Sequence, residues 1–69
     1  MKYGTKVRVM KSKRVLPMFW GAKGKYMWSW LDGLIGFVMF DEPIEDAPQT
    51  GYGSRFHSIA LDALEVIDV

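Results

Sequence analysis

Lys25-Tyr26-Met27-Trp28-Ser29-Trp30-Leu31-Asp32-Gly33-Leu34-Ile35-Gly36-Phe37-Val38-Met39-Phe40 decides the fold of this chain. Two β-prone runs flank an Asp-Gly pair, the strongest short-range signal for a β-hairpin, because a type I′ turn needs positive φ at both central residues. A two-residue loop at Asp32-Gly33 places Leu31 opposite Leu34, Trp30 opposite Ile35, Ser29 opposite Gly36, Trp28 opposite Phe37, Met27 opposite Val38 and Tyr26 opposite Met39. Strict alternation then puts Tyr26, Trp28 and Trp30 on one face and Met27, Ser29 and Leu31 on the other. Gly36 marks the expected bulge or close backbone approach.

Working outward, Thr5 to Met10 alternates, with Val7 and Val9 facing one way and Lys6 and Arg8 the other, the pattern of a half-buried strand. Lys11 to Arg14 is a basic loop start. Val15 to Gly24 holds Pro17, Gly21 and Gly24, so no long regular element is expected there. Met18, Phe19 and Trp20 sit inside that loop and must fold back on the body or meet a partner. Asp41 to Gly53, rich in Pro, Gly and acids, reads as an exposed loop. Arg55 to Ile59 is a short strand with Phe56 and Ser58 on one side. For Ala60 to Ile67, a 3-10 turn leading into a last strand from Leu64 is preferred over a short helix capped by Ser58. The expected fold is therefore all-β: one domain over residues 1–69, a small barrel of about five strands with a long first loop. Closure of such a sheet removes edges that invite aggregation.

The ends of the chain resemble SH3-like barrels. Gly4-Thr5-Lys6-Val7-Arg8-Val9 is similar to a "G-x-x-V-x-V" opening strand, and Gly36-Phe37-Val38-Met39-Phe40 to a "G-x-V-x-F" middle strand. Ile59 to Ile67 is similar to a closing turn that leads into "L-E-x-I". Photosystem I subunit PsaE, KOW-type domains and type II dihydrofolate reductases share this outline, and the likeness covers about a third of the chain. Lys11 to Leu31 matches none of the three. In the reductases the fourth strand carries ligand-contacting residues as "V-Q-I-Y". Phe56-His57-Ser58-Ile59 stands in that place here, without the Gln and Tyr. The resemblance implies the fold and leaves a small oligomeric enzyme of reductase-like outline as one functional expectation.

Charge is sorted by position. Residues 1–31 hold eight bases and no acid, whereas from Asp32 onward eight acids face the single base Arg55. Six of the ten aromatic residues lie in the basic part. Such a chain either pairs its halves internally or offers a basic, aromatic face to a partner. A chain of 69 residues buries only about 60% of its unfolded surface. With no cysteine, neither a disulfide nor a thiolate metal site is available, and with a single histidine a four-ligand zinc site has too few donors. No cofactor motif is present: Gly21-Ala22-Lys23-Gly24-Lys25 lacks the spacing and the Ser/Thr of a phosphate-binding loop. The longest apolar run, Leu34 to Phe40, is far short of the roughly 20 residues that span a bilayer. A soluble, cytoplasmic protein is expected.

Catalytic groups are scarce. Ser58 and His57 point to opposite faces of a strand, so they form no nucleophile–base pair. The acidic pairs Asp41/Glu42 and Glu45/Asp46 sit in an open loop with nothing to desolvate them. His57 reads as a partly exposed strand residue. The function expected is a non-catalytic module that docks a protein partner through the long loop and the aromatic-basic stretch, using Lys11, Lys13, Arg14, Met18, Phe19, Trp20, Lys23, Lys25 and Tyr26. A small accessory or inhibitory protein, including a phage-type one, suits that description. The alternative uses the same cations and rings to hold nucleic acid. In either case Trp28 and Trp30 are expected in the core.

Overall fold

A computed structural model describes residues 1–45, 47 and 55–67, so most of the Pro/Gly half of the acidic loop lies outside the described residues. The chain folds as one five-stranded antiparallel sheet in the order β4-β3-β2-β1-β5. The strands are β1 (Lys6–Val9), β2 (Lys23–Trp30), β3 (Ile35–Phe40), β4 (Phe56–Ala60) and β5 (Leu64–Val66). Two 3-10 turns, Pro17–Phe19 and Leu61–Ala63, interrupt the connections, and no α-helix occurs among the described residues. The sheet is of the kind that wraps into a small barrel, but β4 and β5 remain its two edges.

The core lies on one face of the sheet. Val7 and Val9 enter it from β1, Val38 and Phe40 from β3, Ile59 from β4, and Ala63 and Leu64 from the final turn and strand. Along β1 and β3 these positions alternate with less buried ones, as the period of two demands, whereas in β4 Phe56 and His57 are both buried. The 3-10 turn ahead of β5 is present as expected. It brings Ala63 to the core, and the Ala63 carbonyl accepts a bond from Met10 N–H at 2.8 Å. The alternative helix capped by Ser58 does not form, because residues through Ala60 are already paired with β3.

The hairpin register holds near the turn. Trp30 pairs with Ile35, Ser29 with Gly36 and Trp28 with Phe37. The expected turn is present at Asp32-Gly33, closed by Leu34 N–H to the Leu31 carbonyl at 3.2 Å, but the regular ladder stops one pair earlier, at Trp30 and Ile35. Leu31 and Asp32 adopt φ of 54° and 56°, and Gly33 adopts 85°. Leu31 therefore occupies the left-handed region that L side chains disfavour.

Further from the turn the register departs from regular pairing. A β-bulge between Tyr26 and Trp28 makes Tyr26 pair with Val38 and Lys25 with Met39. The bulge is at Met27, not at Gly36. Met27 is the extra residue, so the strand changes phase there. Tyr26 turns inward and is only 6% exposed, whereas Trp28 and Trp30 turn outward at 48% and 56%. The one-face grouping of these three rings is corrected on that account.

Gly36 instead faces the core, where a Cβ would meet the Leu61 and Leu64 side chains. The tighter approach is at Gly24, where β2 crosses β3 with no room for a side chain.

Candidate binding face

The site expected over residues 11–30 divides in the structure. Pro17 opens a 3-10 turn, and its three-residue period cannot turn Met18, Phe19 and Trp20 to one side together. Phe19 is the ring that goes in. It is 7% exposed and lies 5.8 Å from the Phe40 ring and 5.1 Å, edge on, from His57. Phe19 and Tyr26 are thus core residues.

Trp20 lies over the loop at 36% exposure. Its indole N–H donates to the carbonyls of Ser12 and Val15 at 3.2 and 3.1 Å, and the Lys11 ammonium sits 5.4 Å from the ring centre. Leu16 and Met18 stay outside. Arg14 reaches Asp62 at 3.2 Å. Lys13 is exposed on the loop.

A second group of rings was not foreseen as a surface. On the outward face of β2, β3 and β4, Trp28 packs at 5.4 Å and Trp30 at 5.8 Å against Phe37. Phe56 completes the group, 5.5 Å from Trp28 and nearly parallel to Phe37 at 5.7 Å. The interplanar angles of both indoles to Phe37 are well away from zero, so neither Trp is covered by a stacked ring. The reason for their exposure is topological. β1 runs beside β2 only from Lys23 to Lys25, and its approach ends where Gly4 N–H bonds the Tyr26 carbonyl. Among the described residues no strand pairs with β2 on its β1 side beyond that point, and about half of each indole stays open to solvent. The only sequence cue was the Lys23/Lys25 alternation, which by itself demands that Gly24 and Tyr26 face inward.

The basic end of the same face is built from cross-strand pairs. Lys6 lies opposite Lys25, and Arg8 opposite Lys23. Like charges set directly across an antiparallel ladder are destabilising. Two carboxylates offset part of this: Asp41 reaches Lys6 at 3.5 Å, and Glu65 accepts from Arg8 Nε at 3.1 Å and from Nη2. Lys23 and Lys25 form no ion pair among the described residues. Lys23 shares a cleft of about 370 Å³ with Asp41 and Glu42, beyond ion-pair distance. The halves of opposite charge are therefore only partly matched.

His57 is buried, not partly exposed, and packs its ring beside Phe19 and Phe40. Among the described residues no three His, Asp or Glu side chains gather as a metal site, and no helix is long and apolar enough to cross a membrane. Comparison with protein families, curated proteins and solved structures yields no match.

Proposed function

We propose that the protein is a non-catalytic binding module of SH3-like barrel outline, and that its contact surface is the outward face of β2, β3 and β4. The SH3-like outline is supported by the order of its parts: strand, long loop, hairpin, strand, 3-10 turn, strand. The observation that carries the binding assignment is the exposed pair Trp28 and Trp30 flanking Phe37, on strands where no acid stands among the rings. Large apolar side chains held at a surface mark contact sites, and Trp is the residue most enriched where contacts are strongest. His57 supports a non-catalytic reading, since it lies beneath Phe19 away from solvent.

A protein partner docking on the loop is the second reading, favoured by exposed Leu16 and Met18 beside Pro17 and a cleft of about 130 Å³ lined by Arg14, Val15, Leu16, Phe19 and β4. Paired surface variants separate the two. Trp28→Ser with Trp30→Ser should keep a cooperative melt yet lose whatever macromolecule the immobilised protein retains, while Leu16→Ser with Met18→Ser keeps it. The reverse outcome assigns contact to the loop and rejects the sheet face.

A further inference from the structure

Resting on the sheet-face assignment, we propose that its ligand is single-stranded nucleic acid, with phosphates along the Lys6/Lys25 and Arg8/Lys23 pairs and unstacked bases on Trp28 and Trp30, which Phe37 supports from between. Cations and rings share one face of one strand. Lys23 and Lys25 continue into Trp28 and Trp30 along β2, and the bulge at Met27 keeps the indoles in phase with the lysines. The span from Lys23 to Trp30 is seven residue steps, or about 23 Å at the usual rise. That length suits the lower end of the site sizes seen for single strands, about four nucleotides.

Charge decides between this ligand and a protein. Four cations stand in two adjacent like-charged pairs, against the paired carboxylates Asp41 and Glu65, with Glu42 at the cleft beside Lys23. The fold holds this arrangement against its own repulsion. Lysines are depleted from protein–protein interfaces, where burying them is costly. A phosphate backbone instead meets them in water and releases counterions. Half-exposed indoles beside such a row match the two parts of a single strand, anionic backbone and flat base. A duplex keeps its bases stacked and offers nothing for the indoles to hold.

Fluorescence anisotropy of the whole chain with labelled oligothymidylate and oligouridylate of about 15 nucleotides, the upper end of such sites, tests the proposal. Both should bind at about 50 mM salt and weaken steeply toward about 200 mM. Lys23→Gln with Lys25→Gln should flatten the log–log salt slope by about 1.4, at about 0.7 per lost phosphate contact. The same variant should melt no lower than the parent, because it relieves like-charge pairs. Trp30→Ala should weaken binding between about 5-fold and about 150-fold with the slope unchanged.

No binding at low salt, or an unaltered slope in the lysine variant, overturns the nucleic-acid assignment. If polyglutamate binds instead, or the chain self-associates in sedimentation, and either is lost in Trp30→Ala, the ligand is wrong but the face stands. If oligonucleotides, polyglutamate and self-association all fail, the sheet-face assignment falls with it.

Discussion

Gly24→Ala should remove a large share of the stability of this domain. A Cβ at this position would stand 2.6 Å from the Met39 carbonyl oxygen, 2.8 Å from the Phe40 Cα and 2.9 Å from Val38 Cγ1. Two of these are backbone atoms of the neighbouring strand, so no side-chain rotation relieves the overlap. Relief requires β2 and β3 to separate at the Gly24–Phe40 pair, where Phe40 anchors the core. Overpacking of this kind costs about 3 kcal/mol or more. A chain of 69 residues has only about 3.5–10 kcal/mol in total. Gly36→Ala offers the contrast. Its closest neighbours, Leu61 Cδ1 at 2.9 Å and Leu64 Cδ1 at 3.2 Å, are tips of flexible side chains. That variant should remain folded with a modest loss. Thermal melts of the two variants followed by circular dichroism check both; equal stability would contradict the strand approach described.

Phe19→Ala should destabilise the domain by about 3–5 kcal/mol, the range for removing a buried phenyl ring. Phe19 is the bolt between the long loop and the sheet. It stacks on Phe40 and covers His57, and the loop around it is tied by Phe19 N–H to Leu16 and by Ala22 N–H to the Phe19 carbonyl. Removing the ring opens a cavity against Phe40 and frees the segment that positions Trp20. Urea titration measures the loss, and the accessibility of His57 should rise with it. A melting point within a degree or two of the parent would return Phe19 to the surface and restore the loop as the contact region.

Much of the architecture was legible because alternation is a strong signal wherever one face is charged. Lys6 and Arg8 against Val7 and Val9 fixed β1, and the Asp-Gly turn set the pairing of Trp30, Ser29 and Trp28 correctly. The contact surface was hidden by one residue. A bulge needs no special side chain, and Met27 looks like any strand residue. β3 could not reveal the phase change either, because Ile35, Phe37 and Met39 on one side are as apolar as Val38 and Phe40 on the other. Pairing β2 without the bulge places Tyr26 on one face with Trp28 and Trp30, and the inward ring is not told from the outward pair. Which of Met18, Phe19 and Trp20 enters the core was equally hidden, since a 3-10 turn places consecutive side chains about a third of a turn apart and only the opposing Phe40 and His57 select one.

The outward setting of Trp28 and Trp30 is the claim on which binding rests. Fluorine NMR of the chain labelled with 5-fluorotryptophan, each signal assigned by single Trp→Phe replacement, measures it residue by residue through the solvent isotope shift between H2O and D2O. The fold predicts large shifts at Trp28 and Trp30 and a smaller one at Trp20, whose N–H is held by the Ser12 and Val15 carbonyls. Small shifts at both Trp28 and Trp30 in the monomer would mean that the strand is not bulged at Met27 and that the rings are spent inside.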